Sequence, residues 1–275
     1  MAIDFSKESS MKFRLRQFIT LLRTINLGAL YFWKDAEKFK NYLRQLNKIF
    51  LSWTSAPIRP MELSELLGKD FCSNVFIPLG NIKPGSTPLA DLVALAALAI
   101  KKRPINIFEI GTFEGLTSVV FVKNLEPKIN VFTLDLPLQK EVPRTRRSFK
   151  AQSVAGPYQS GYLIDAMGCS RQIKRLFGDS ALFDFKAYEN SIDLFFIDGA
   201  HTADYVARDS LNAFQAIVPD GWIIWHDCFI PEVSKILREI ARHHPILHIR
   251  ETNLVLSTQK PNKSFPWNRL EKKII

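Results

Sequence analysis

Two hydrophobic patterns divide this chain. From residue 105 onward, apolar residues come in short unbroken runs: Ile105–Ile110, Val131–Leu134, Ile192–Ile197 and Trp222–Trp225. Each run closes on a polar or glycine-containing turn. Between them apolar positions recur at helical spacing, over Thr117–Asn124, Ala203–Ile217 and Val233–His243. An unbroken apolar strand has no polar face to offer water, so it is buried on both sides. Strands of that kind separated by helices predict a parallel sheet covered on both faces. Two further runs, Ile246–Ile249 and Asn253–Thr258, flank Glu251-Thr252 and predict a closing antiparallel pair. The fold class expected is α/β, a Rossmann-like sheet of parallel strands with a closing antiparallel strand, flanked by helices.

The first part of the chain has a different texture. Phe13, Leu15, Phe18, Leu21, Leu22 and Ile25 leave one helical face apolar, ringed by Arg14, Arg16 and Arg23. A second helical pattern follows from Lys34 to Leu51. Two prolines between Ser55 and Pro60 mark a boundary. Residues 61–88 are loop-rich, and an alanine-rich helix runs from Leu89 to Lys101. The organisation expected is a basic helical N-terminal extension over 1–60, a catalytic domain over 61–260 and a C-terminal tail over 261–275.

Charge adds a possible surface for partners. The net charge is +10, and residues 1–50, with ten Lys/Arg against four Asp/Glu, hold +6 of it. Such a front can meet an anionic membrane, a nucleic acid or an acidic partner, or be merely a solvated face. The apolar stretch Phe18–Trp33 is interrupted by Arg23 and Asn26, too polar for a span and without a clean signal-peptide cleavage site. A cytoplasmic protein is expected, with peripheral membrane contact through residues 1–50 left open. Cys72, Cys169 and Cys228 are odd in number and form no CxxC pair, which argues against a disulfide framework or a structural zinc site.

Candidate chemistry gathers at the ends of the strands. Glu109-Ile-Gly111-Thr112-Phe-Glu-Gly115 follows the first strand, where glycines let backbone approach a ligand. Its ExGxxxG spacing is not the GxGxxG of a dinucleotide turn, which makes a dehydrogenase the least favoured reading. Asp135 ends the next strand, 20 residues after Gly115, where a carboxylate can accept both hydroxyls of a ribose. Gly178-Asp179-Ser180 would end the third strand, with Asp179 facing an exocyclic amine or forming an ordinary turn. Asp198, in Phe196-Ile-Asp198-Gly-Ala-His201, and His226-Asp227 end neighbouring strands and can converge. Two carboxylates and an imidazole suit a divalent cation, magnesium by its preference for oxygen or another metal that tolerates nitrogen. A hydrogen-bonding role for His226 is the alternative. His244 and His248 are assigned structural roles.

Taken together, these motifs resemble class I methyltransferases that use S-adenosylmethionine (SAM). The match is best to methyltransferase family 24, and more distant to catechol and macrolide-sugar O-methyltransferases, over about residues 85–258. The resemblance implies that Glu109, Gly111, Thr112 and Gly115 line the methionine and ribose of SAM. It also implies that Asp135 holds the ribose hydroxyls and that Asp179 and Ser180 face the adenine. Asp198, His226 and Asp227 fall on the metal-ligand positions of the metal-dependent relatives, with Asp198 also at the cofactor. His226 departs from the acid those relatives carry. His201 stands where the catechol-type enzymes have a catalytic lysine, three residues after the first Asp, and is the candidate base with Asp198 beside it; the alternative is a histidine capping the next helix.

The activity expected is O-methylation of a hydroxyl on a small-molecule or carbohydrate acceptor. Between Asp135 and Gly178 lie 42 residues, an insertion with Pro143-Arg-Thr-Arg-Arg147, Tyr158 and Tyr162 that can form an acceptor wall or a solvated loop. Two other function classes stay open. One is a SAM-binding scaffold docking through its basic helices. The other is an RNA methyltransferase, disfavoured because the NPPY-type motif is missing and the basic excess lies outside the catalytic half. A homo-oligomer is also left open.

Overall fold

The strands meet as the apolar runs require. In the computed structural model eight of them form one sheet: β1 (Arg59–Met61), β2 (Asn106–Ile110), β3 (Asn130–Asp135), β4 (Ile173–Phe177), β5 (Ile192–Ile197), β6 (Ile217–Trp225), β7 (Leu247–Ile249) and β8 (Val255–Ser257). Their order is β1-β7-β8-β6-β5-β2-β3-β4. Strand β8 runs antiparallel to β6 and β7, and the other neighbours pair in parallel. The expected α/β sheet with its closing antiparallel strand is therefore present. The structure describes residues 58–81, 85–136, 160–262 and 264–271. The helices expected over residues 1–50 lie outside that set. So do the insertion's arginines and Tyr158. Among the described residues, no helix is long and apolar enough to cross a membrane.

Alternation along each strand feeds two cores. In β5, Leu194 and Phe196 pack on one side of the sheet while Phe195 and Ile197 pack on the other, and all four are buried. Helices α2 (Leu89–Lys102), α3 (Leu116–Asn124) and α4 (Tyr162–Ala166) contribute to the first side. Helices α5 (Ala203–Ala216), α6 (Pro231–Ala241) and α7 (Trp267–Glu271) contribute to the second. A short α1 (Leu63–Leu67) packs against the first core. Burying Phe, Leu or Ile contributes about 1.5–3 kcal/mol each, so these residues dominate the stability of the sheet.

Two elements depart from the pattern. Strand β6 starts at Ile217, earlier than the apolar run at Trp222, because a register shift between Ile192 and Leu194 accommodates Pro219-Asp220-Gly221. Strand β1 was not legible among the loop residues, and its pairing partner is β7, nearly 190 residues along the chain by the register Arg59↔Leu247.

Candidate active site

The sheet sets one edge for the chemistry. From β2 the chain crosses to β3 and β4 on one side and to β5 and β6 on the other. Open parallel sheets bind ligands at such a reversal, at the carboxyl ends of the strands. Hydrogen bonds carry the pairing just past the strands: Gly111 N to Leu134 O, Gly178 N to Asp135 O, Asp198 N to Ile110 O and His226 N to Ile197 O, each 2.9 Å. These bonds hold Gly111, Asp135, Asp198 and His226 level along that edge.

The glycine turn is shaped by protein packing. Gly111 has φ +98°, and a Cβ there would lie 2.0 Å from the Asp198 carbonyl oxygen. A side chain at Gly115, φ +86°, would meet Ile164 Cγ1 at 2.7 Å. Whatever ligand comes near, the absent side chains already make room for β5 and for α4. Phe113 also takes a left-handed conformation, φ 48°, which turns its N–H onto Asp135 Oδ2 at 3.1 Å. Asp135 further accepts Ser160 Oγ at 2.7 Å and Leu136 N at 2.8 Å. Burial raises its pKa against the pull of these bonds.

Glu109 is a buried carboxyl whose two oxygens differ. Oε2 accepts from Ser118 Oγ and, at 2.6 Å, from Thr133 Oγ1. Because Thr133 gives its one proton to Glu109, Thr112 Oγ1 must donate to Thr133 Oγ1 across their 2.6 Å contact. Oε1 is buried with no hydrogen-bond partner. Burial, outweighing the bonds from Ser118 and Thr133, pushes the pKa to about 8, and the charges of Asp198 and Asp135 add to the rise. Asp179 is likewise engaged: Tyr205 OH lies 2.9 Å from both its carboxylate oxygens and Ala181 N lies 3.0 Å from Oδ1. Ser180 is buried beside it.

Four charged side chains converge beyond β5 and β6. His201 Nε2 lies 2.9 Å from Asp227 Oδ2 and 3.9 Å from Asp198 Oδ1. His226 Nδ1 lies 3.1 Å from Asp198 Oδ1 and 3.6 Å from Asp227 Oδ1. Burial by itself would lower the pKa of His201, but Asp198 and Asp227 outweigh it and raise the value to about 9. The same balance lifts His226 well above the ordinary histidine range. Burial would raise both acids, yet the histidines hold Asp198 low and Asp227 far below the usual carboxylate range. Asp227 takes the left-handed conformation, φ 53°, a sparsely populated backbone state that clusters at functional sites.

The two histidines differ in their contacts. Asp198, His201 and Asp227 each offer one ligand atom, and these atoms lie within 4.8 Å of one another. His226 makes a further contact through its other nitrogen, Nε2, which is 2.9 Å from Asp91 Oδ2 on α2. His201 meets Asp227 rather than the backbone of α5, whose N-cap Thr202 makes no side-chain capping bond. Asp91, Ser160, Ser118, Thr133 and Tyr205 were missed by the sequence reading. Asp91 had a signal: with Leu95 and Leu98 it lies at i, i+4 and i+7 on the buried stripe of an apolar helix, where a carboxylate needs a partner. The others are ordinary hydroxyls in sequence and became visible only through their contacts.

Comparison with known proteins gives this edge a family. Residues 108–228, from within β2 to just past the His226-Asp227 corner, match the Methyltransf_24 methyltransferase domain. Over those residues the chain is similar to a methyltransferase domain of this family. A methyltransferase from Podospora anserina with SAH bound shares the fold. It is 14% identical at TM-score 0.50, covering 73% of this chain and 94% of that one. An O-methyltransferase from Bacillus cereus in complex with SAH aligns with TM-score 0.45 at 15% identity, over 65% of this chain and 84% of that one. A cofactor-bound protein from MTB aligns with TM-score 0.47 at 15% identity, over 67% and 86%. No curated protein sequence matches the chain.

Proposed function

We propose that this chain transfers the methyl group of SAM to a hydroxyl of a small-molecule or carbohydrate acceptor, with Asp198, His201 and Asp227 as the centre that receives the hydroxyl. The observation that carries this reading is the convergence of those three side chains at the same sheet edge as Asp135 and the glycine turn. Methyl transfer from a sulfonium is an in-line displacement, so the protein must place the acceptor oxygen, take its proton and exclude water. Asp135, with Phe113 N and Ser160 fixing its carboxylate, suits the ribose hydroxyls. The unpartnered Glu109 Oε1 suits a donor such as the methionine amine. Asp179 and Ser180 border the adenine side of the crevice in this reading.

The donor set fits a divalent cation at Asp198 and Asp227, with His201 Nε2 grouped beside them. Such a cation, when bound, supplies positive charge that lowers the pKa of an acceptor hydroxyl. His201 is protonated at pH 7 in the charge environment of this structure. To act as a base it must shed that proton, and positive charge placed on its two carboxylate partners favours the shedding. His226, nearly closed off from solvent, orients Asp198 instead of meeting substrate.

The test is transfer from isotope-labelled SAM to a panel of sugar and phenol hydroxyls, read by mass spectrometry with and without chelator. Methylated product that vanishes on chelation and returns with Mg²⁺ supports the whole reading. Full activity after exhaustive chelation would leave the methyltransferase but remove the cation. No product with any hydroxyl acceptor, despite SAM binding, would favour the scaffold reading.

A further inference from the structure

We propose that Tyr205, in the first turn of α5, is a positioning residue that fixes the Asp179-Ser180 corner after β4 and thereby sets the preference of the crevice for an adenine base. The order of the strands places that base. Asp135 ends β3 and suits the ribose, and Gly178 N, bonded to Asp135 O at 2.9 Å, sets the β4 corner directly beside it. The methionine end belongs on the other side of Asp135, toward Glu109 on β2. With neighbouring strands about 4.8 Å apart, the base attached to that ribose comes over the β4 corner. This role for Tyr205 rests on the reading of the edge as a SAM site. Tyr205 OH lies 2.9 Å from both oxygens of Asp179 and donates to them, while Ala181 N donates to Oδ1 at 3.0 Å. Asp179 O in turn receives Leu182 N at 2.8 Å and Phe183 N at 2.9 Å. Tyr205 and Asp179 are both buried, so Tyr205 acts on the cofactor through the corner, without touching it.

Further polar side chains of α5 meet the same corner. Tyr205, Asp209 and Asn212 stand at i, i+4 and i+7, a spacing that puts them on one face of the helix. Asp209 is wholly buried; burial pushes its pKa up to about 7, and the Ser180 hydroxyl pulls it back. Asn212 Nδ2 lies 3.5 Å from Ser180 O. Polar groups on an inward helix face cost stability that apolar side chains would not, so packing accounts for this stripe poorly and placement of the corner accounts for it well. The competing role for Tyr205 is a plain tie between α5 and the corner. Adenine presents an exocyclic amine and an accepting ring nitrogen where hypoxanthine has a carbonyl oxygen and an N–H. Hydrogen bonds weaken steeply with misalignment, so a corner held still tells the two edges apart. A plain tie affects both bases equally.

The experiment is calorimetric titration of the full chain with SAH and with S-inosylhomocysteine, in which hypoxanthine replaces adenine, with melting temperature followed alongside. Wild type should bind SAH about tenfold or more tightly than S-inosylhomocysteine, the scale of one hydrogen-bonding group left unmatched. Tyr205→Phe keeps the ring and drops the hydroxyl; it should weaken SAH binding and bring the two affinities to within about threefold. Ser210→Ala, which breaks the 2.9 Å bond from Trp225 Nε1 on another face of α5, should lower the melting temperature and leave the preference at its wild-type value. Equal binding of the two ligands by wild type overturns the inference without any variant. An unchanged preference in Tyr205→Phe, or an equal fall in Ser210→Ala, overturns it too. Failure of wild type to bind either ligand would overturn the SAM reading, and this role with it.

Discussion

Replacing Gly111 with alanine tests whether the glycine turn is required by protein packing. The added Cβ would sit 2.0 Å from the Asp198 carbonyl oxygen, 2.6 Å from its carbon and 3.2 Å from Gly199 N. All three are backbone atoms, so no side-chain rotation relieves the clash. Two costs combine. Holding a non-glycine residue at φ +98° costs about 1–3 kcal/mol, and forcing β2 and β5 apart adds about 1–3 kcal/mol of overpacking. Their sum, about 4 kcal/mol, is a large share of the roughly 5–15 kcal/mol that keeps a domain folded. Gly168→Ala is the control, because Gly168 also has positive φ, +67°, with nothing within 4 Å of an added Cβ. Urea unfolding of the three proteins should show Gly111→Ala losing about 1–3 kcal/mol more than Gly168→Ala, the difference being the overpacking part. Displacement of Asp198 should accompany the loss, since Asp198 N is bonded to Ile110 O. Equal losses in the two variants would refute the packing account.

His244 gives a prediction in pH. It is buried beside Phe214 and Phe265, with Nε2 2.6 Å from Ser257 Oγ, and burial lowers its pKa to about 4. Between that value and its ordinary 6.5 the unfolded chain binds the extra proton, so stability falls as pH drops through this window, by up to about 3 kcal/mol. Urea midpoints measured at pH 7 and pH 4.5 should separate more in wild type than in His244→Gln; parallel behaviour would show that His244 is not the titrating group. His201→Ala, at a half-exposed position, should change stability by less than about 1 kcal/mol and leave SAH affinity intact, while turnover with an identified acceptor falls by about 10²–10⁴-fold. A variant with normal turnover would pass the base role to Asp198.

The sheet was legible because its strands are apolar on both faces and end in chemistry-bearing corners. Ile105–Ile110 with its glycine turn, and Phe196-Ile-Asp198 with His226-Asp227, place the edge of the sheet from local pattern alone. The pairing of His201 with Asp227 was not legible, because a three-residue offset from Asp198 says nothing of which acid the loop turns toward. Nor was the separation of the two histidines. It depends on Asp91, whose partner His226 lies 135 residues on, and no local spacing encodes such a contact. Gly111 shows the same limit in another form. Its need for glycine comes from a neighbouring strand, while its motif suggests a ligand.

The central claim is that SAM binds at the edge marked by the glycine turn and Asp135, and calorimetric titration of the full chain with SAH tests it most directly. One site per chain is predicted. Asp135→Ala should weaken it by about 2–3 kcal/mol, as expected for lost charge-assisted hydrogen bonds to a ribose, or roughly 30- to 150-fold in Kd. Absence of SAH binding in wild type, or undiminished affinity in a folded Asp135→Ala, would contradict the account.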